Sequence, residues 1–124
     1  MAMDNLSGSP RKTVLLLGRT DIVVEDAERR LGMSDVRLLG GTGLADVRRA
    51  FSTESSIDHV IMGAGLDLQT RLDIVREVFE LSDRTTVHLK DRTTGPEGFL
   101  PFVRAVLHGL RELPQVLAPG MATE

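Results

Sequence analysis

Residues 13–18, TVLLLG, decide the fold, because their apolar side chains follow one another without polar alternation. Such a run predicts a strand buried on both faces, which is typical of the middle of a parallel sheet. Three further strands are predicted at residues 35–39, 57–62 and 85–90. The fourth alternates apolar and polar side chains, which indicates an edge strand with one less buried face.

Helical patterns separate and follow these strands. Helices are predicted over residues 22–31, 44–53, 68–81 and 101–111, and Asp21 and Asp67 are predicted to cap the first and third. In the third helix the apolar spacing predicts a buried stripe, formed by Leu68, Leu72, Val75 and Phe79.

Strands alternating with helices predict a doubly wound α/β domain with about four parallel strands. Because crossovers between parallel strands are right-handed, the favoured strand order is 2-1-3-4. The first and last helices then cover one face of the sheet, and the second and third cover the other.

Composition is typical of a globular domain and restricts its partners. The chain has 124 residues, 41% of them hydrophobic, and a net charge of −3, which argues against nucleic-acid binding. It has no cysteine, which excludes disulfides and thiolate metal sites and fits a reducing, cytoplasmic compartment. No apolar run reaches the roughly 20 residues that span a bilayer, so no membrane association is predicted.

The chain is interpreted as one domain over residues 12–113. Residues 1–11 lack the apolar segment of a signal peptide and are expected to form a flexible leader. Residues 114–124 are expected to form a flexible tail.

A ligand site is predicted where the strand order reverses, outside the carboxyl ends of strands one and three. Two glycine-containing loops border this position and lead into helix N-termini, whose free amides favour anions. The predicted binding residues are Gly18, Arg19, Thr20, Asp21, Gly41, Gly63, Ala64, Gly65, Asp67 and Lys90. A phosphate or carboxylate would meet bare amides, Arg19 and Lys90 there.

Structural roles also account for these residues. Glycines commonly end strands, aspartates commonly cap helices, and a lysine on an edge strand discourages edge-to-edge pairing. No catalytic residue is assigned, because His59, His88 and His108 lack metal-ligand spacing. No nucleophile elbow or Walker loop is present either.

Two segments of the chain resemble short-chain dehydrogenases. Residues 12–31, KTVLLLGRTDIVVEDAERRL, look like the opening strand, turn and helix of that family. Residues 46–65 are similar to a later helix and strand, and end in Ala64-Gly65, the last two residues of the family's Asn-Asn-Ala-Gly motif. The resemblance implies a Rossmann-like nucleotide-binding core and, with it, NAD or NADP as a candidate cofactor.

The family's functional residues are only partly present. Leu17, Ile22 and Val24 occupy positions of its glycine fingerprint, where side chains would block the approach of a pyrophosphate. The catalytic tyrosine is absent, because the chain has no tyrosine.

The sequence therefore predicts a small Rossmann-like or flavodoxin-like three-layer domain that binds a nucleotide or small anionic ligand without dehydrogenase chemistry. One alternative is a divergent NAD(P)-dependent oxidoreductase-like protein. Another is a non-catalytic interaction module that is expected to form a homodimer. The reason is that Ile74, Val78 and Leu81 are predicted to lie away from the buried stripe.

Overall fold

The computed structural model describes residues 11–22 and 24–112. The four strands are β1 Lys12–Leu17, β2 Val36–Gly41, β3 His59–Met62 and β4 Thr86–Leu89. The four α-helices are α1 Val24–Leu31, α2 Leu44–Thr53, α3 Leu68–Leu81 and α4 Phe99–Glu112, with a short 3₁₀ turn at Pro96–Gly98 leading into α4. Apart from Arg11, the predicted leader lies outside the described residues, and so does the predicted tail.

All strands are parallel, in the order β2-β1-β3-β4, which confirms the predicted topology and places β4 at an edge. β1 is central: Leu15 pairs with Leu39 of β2 on one side and with Val60 of β3 on the other. Residues 14–17 are almost completely buried, as their uninterrupted apolar sequence predicts.

A separate hydrophobic core lies on each face of the sheet, because side chains alternate along each strand. On one face Val14 and Leu16 pack with Ala27 of α1 and Val103 of α4. On the other face Leu15 and Leu17 pack with Val47 of α2 and with Ile74 and Val78 of α3. The helices therefore cover the predicted faces, in the arrangement of a Rossmann-like or flavodoxin-like three-layer sandwich.

The rotation of α3 about its axis differs from the prediction. Ile74 and Val78 are fully buried, whereas Leu72 and Phe79, of the predicted buried stripe, are 48% and 57% exposed. The expectation that Ile74 and Val78 form a partly exposed dimerisation surface is therefore wrong. We use the name α3 stripe below for Leu68, Leu72, Val75 and Phe79.

Polar contacts account for this rotation, because α3 carries two apolar rows and periodicity alone does not choose between them. The guanidinium of Arg71 lies on the sheet side and donates to the Lys90 carbonyl oxygen at 2.9 Å. On another side of the helix, Arg48 of α2 donates to Glu77 at 3.0 Å. These contacts direct Ile74 and Val78 to the sheet and leave the α3 stripe outside.

Helix starts also differ in detail. α1 begins at Val24, so Asp21 lies in the preceding loop and its predicted capping position is wrong. Asp67 is the N-cap residue of α3, as predicted. β2 continues to Gly41, so Gly40 and Gly41 belong to the strand. Among the described helices, none has the length and apolarity needed to cross a membrane.

The burial of Ile74 predicts a large stability difference between two aliphatic positions of α3. Ile74→Ala should lower the free energy of unfolding by about 2–5 kcal/mol, because it empties a packed site. Leu81→Ala, at a side chain 48% exposed, should cost less than about 1 kcal/mol. Urea unfolding followed by circular dichroism measures both values, and equal losses would contradict the burial difference.

Candidate functional site

A cleft of about 620 Å³ opens at the carboxyl ends of the strands, between the loops that follow β1, β3 and β4. Nine of the ten predicted binding residues line it: Gly18, Arg19, Thr20, Asp21, Gly63, Ala64, Gly65, Asp67 and Lys90. The topology brings these residues together, because parallel strands end at the same edge of the sheet.

Gly41 does not line the cleft. It ends β2, where its carbonyl oxygen accepts a hydrogen bond from the Gly18 amide at 3.2 Å. A Cβ at this position would lie only 2.6 Å from Cβ of Asp46 in α2. Its glycine therefore serves the close packing of α2 on the sheet rather than a ligand.

Two glycines after β3 keep the cleft walls close together. The Gly63 amide donates to the Leu17 carbonyl oxygen at 2.9 Å, and a Cβ here would lie 3.4 Å from the Phe99 ring. A Cβ on Gly65 would lie 3.1 Å from Cβ of Arg19. The loop after β3 thus approaches both the first turn of α4 and the loop after β1.

Lys90 places a buried ammonium group at the cleft. Its amide donates to the Met62 carbonyl oxygen at 3.0 Å, and the residue is only 6% exposed. Nζ donates to the Thr94 hydroxyl and, at 3.2 Å, to the Asp91 carbonyl oxygen. The Asp91 carboxylate lies 3.6 Å away with its side chain 69% exposed, so only the carboxylate member of this ion pair is open to solvent.

More positive charge surrounds Lys90. Arg71 is also buried, and its Nε has no hydrogen-bond partner among the described residues. Arg19 and Arg92 line the cleft as exposed side chains, and neither forms an ion pair within the described part of the chain. Buried cations are costly unless they are compensated, so Arg71 and Lys90 depend on the oxygen atoms that accept their hydrogen bonds.

Besides Asp21, two carboxylates stand at the borders of the cleft or beside it. The nearby Thr70 hydroxyl lowers the pKa of Asp67, and the charge of Arg92 acts in the same direction, although the Asp67 side chain makes no capping hydrogen bond of standard geometry. The Thr93 hydroxyl and amide lower the pKa of Asp91. Both groups are ionised at neutral pH and serve as acceptors rather than acids.

The two oppositely charged groups Asp67 and Lys90 have separate partners in the cleft. Asp67 and Lys90 both line the cleft, but the ammonium of Lys90 is held by Thr94 and Asp91 rather than by Asp67. Within the described residues, no group of three or more histidine, aspartate or glutamate side chains is placed to hold a metal ion.

The loop after β4 supplies cleft residues that were not among the predicted ones. Thr94, Pro96 and Phe99 all line the cleft. The signal for them was the Gly95-Pro96 turn after the fourth strand, since every loop at the carboxyl edge of a parallel sheet faces the same space.

The histidines lie away from this cleft. The Thr86 hydroxyl oxygen lies 2.6 Å from His59 Nδ1 and 2.8 Å from His88 Nε2, and bridges the two rings on β3 and β4. Burial lowers the pKa of His59, although Asp58 opposes the shift, and burial also lowers the pKa of His88.

His108 borders a smaller depression of about 320 Å³ between α1 and α4. Arg104 in the same depression donates to the Arg30 carbonyl oxygen at 2.6 Å and to that of Leu31 at 3.0 Å. These bonds satisfy carbonyl groups at the C-terminus of α1, so the depression has a structural role.

Comparisons with known proteins found no matching family, no similar curated protein and no similar solved structure.

The lowered pKa values of His59 and His88 predict acid sensitivity. The free energy of unfolding should fall as the pH drops below about 6.5, because histidines in the unfolded chain take up protons before the folded ones do. Chemical unfolding between about pH 7 and pH 5 measures the slope, in a range above the lowered pKa values of Asp46, Asp67 and Asp91.

The double variant His59→Gln/His88→Gln should show a smaller slope than the wild type. A double variant with the full wild-type slope would contradict the assignment to this pair.

Proposed function

We propose that this domain binds a small anionic ligand, a nucleotide or another phosphate-bearing or carboxylate-bearing molecule, in the cleft at the ends of β1 and β3. The observation that carries the proposal is the buried ammonium of Lys90, which is held mostly by neutral oxygen atoms and lines the cleft. An anion beside it would compensate a charge that the fold has removed from water.

Size and lining support the same proposal. The volume of about 620 Å³ falls within the range typical of small-molecule sites. Arg19 and Arg92 offer exposed positive charge, while Ile22 and Phe99 offer apolar surface for a ring. A lining that holds both charged and apolar groups suits a ligand with an anionic end and a flat, less polar end, such as a nucleotide.

A mononucleotide is favoured over a dinucleotide held in the manner of the short-chain dehydrogenases. A Cβ at Gly40 would lie 3.4 Å from Cβ of Ile22 and 3.4 Å from Cγ2 of Val24. Side chains thus fill the space that the fingerprint glycines of that family leave open. Together with the absence of tyrosine from the chain, this packing supports ligand binding without the hydride-transfer chemistry of that family.

Thermal unfolding with a panel of ligands tests the proposal. Inorganic phosphate, AMP, ADP, FMN, NAD, NADP and coenzyme A would each be added at about 1 mM, where a ligand at 100 times its Kd adds about 2.7 kcal/mol. We expect at least one mononucleotide to raise the Tm by roughly 10 °C if it reaches that ratio.

Matched variants then locate the site. Lys90→Met keeps the aliphatic stem and removes the ammonium, and Arg19→Ala removes an unpaired cation, so both should reduce the shift. Arg84→Ala removes an exposed arginine just before β4, at the opposite end of that strand from Lys90, and should leave the shift unchanged. The proposal fails if no ligand raises the Tm or if both cleft variants respond like the wild type.

A further inference from the structure

The β4 edge of the sheet has unpaired backbone groups. The Thr86 amide donates to Asp58 at 3.1 Å and the Lys90 amide donates to Met62 at 3.0 Å, so even-numbered residues of this segment face β3. The N–H and C=O groups of Val87 and Leu89 therefore point away from the sheet. No strand lies on that side of β4 within the described residues.

The α3 stripe lies above this edge. Val75 is half-buried, and the other three residues of the stripe are about half exposed. At 3.6 residues per turn, Glu77 lies about 180° around the helix from the middle of the stripe. Because Glu77 contacts Arg48 of α2, the stripe faces the opposite way, beyond β4.

The two edges of the sheet differ in how they are protected. β2 carries Arg37, which forms an ion pair with Glu54, the C-cap residue of α2. β4, with the sequence TVHL, has no lysine, arginine, aspartate or glutamate. Leu89 is 42% exposed. It points to the same face of the sheet as Val87, and Val87 packs in the core beneath α3. Charged side chains normally protect an open edge, so β4 is the edge prepared for pairing.

We propose that the surface formed by β4 and the α3 stripe binds a second copy of this chain about a twofold axis. Antiparallel pairing centred on His88 places Val87 opposite Leu89 of the second copy, and these are the residues with outward backbone groups. Antiparallel packing of α3 places Leu68 opposite Phe79 of the second copy, and Leu72 opposite Val75 of the second copy. The apolar positions are thus symmetric about the centre of α3, which is the self-complementarity that a twofold contact needs.

Both layers of the domain can make contact at the same time. Strands in a sheet are about 4.8 Å apart, so a helix above β3 and β4 and its symmetry mate lie about 10 Å apart across a continuous sheet. This spacing matches the 8–10 Å of packed helices. A single twofold axis therefore satisfies the strand pairing and the helix packing together.

The exposed apolar area supplies part of what a dimer interface needs. The exposed parts of Leu68, Leu72 and Phe79 supply roughly 300 Å² of apolar surface, as large as the main patch of many monomers. α3 is about 21 Å long, and the backbone of β4 and the flanking polar side chains extend the surface toward the roughly 800 Å² per partner of a specific interface.

Sedimentation velocity of the full chain from about 1 to 100 μM tests the proposal. We expect the wild type to dimerise within this range. Leu72→Asp should weaken dimerisation at least about 100-fold, because symmetry places the new carboxylate in the contact twice. Leu81→Asp is the matched control: its side chain has the same 48% exposure but lies on a different side of α3, so dimerisation should persist.

A second variant tests the strand pairing. Leu89→Pro removes only an amide that points away from β3 and should also give a monomer, with the circular dichroism of the wild type confirming the fold. A wild type that stays monomeric at about 100 μM would overturn the proposal, as would equal dimerisation of the Leu72→Asp and Leu81→Asp variants. Ligand binding in the cleft is measured separately, so its failure would not affect this result.

Discussion

The burial of β1 on both faces and along both sides is the constraint on which the rest of the structure depends. Val14 to Leu17 lose nearly all contact with water, which requires a helical layer above and below and a hydrogen-bonded strand on each side. β2 pairs with one side of β1 and β3 with the other, and the helices that follow β1 and β3 cover opposite faces of the sheet. The loops after β1 and β3 therefore diverge, and the cleft follows from the same packing that forms the core.

The cleft concentrates positive charge in a place where the fold offers limited compensation. Arg71 and Lys90 are linked through the Lys90 carbonyl oxygen, so one buried cation positions the backbone that carries the other. The partners of the Lys90 ammonium are a hydroxyl, a carbonyl oxygen and a solvent-exposed carboxylate. A small domain can retain the two buried cations at lower cost if a bound anion compensates their charge. Binding of the proposed ligand would therefore stabilise the folded domain.

Topology was readable from the sequence because it depends on features that are local or general. The apolar run in β1, the glycine-ended strands and right-handed crossovers sufficed for the strand order, the helix faces and nine of the fifteen residues that line the cleft. The rotation of α3 was not readable, because Ile74 and Val78 form one apolar row and Leu72 and Phe79 another. Long-range contacts of Arg71 and Glu77 choose between these rows. The role of Gly41 likewise depends on a close approach to Asp46, which spacing alone does not reveal.

The unexpected rotation of α3 connects the fold to its proposed assembly. Among the described residues of this four-stranded sheet, α3 has α2 on one side and no helix on the other, so its outer apolar row faces the space beyond β4. A second copy paired antiparallel through β4 would give a sheet of eight strands whose two halves run in opposite directions. The carboxyl ends of β1 in the two copies would then point to opposite ends of the dimer. Both clefts would remain open. The proposed self-association through β4 is therefore compatible with the proposed anion binding in the cleft at the ends of β1 and β3.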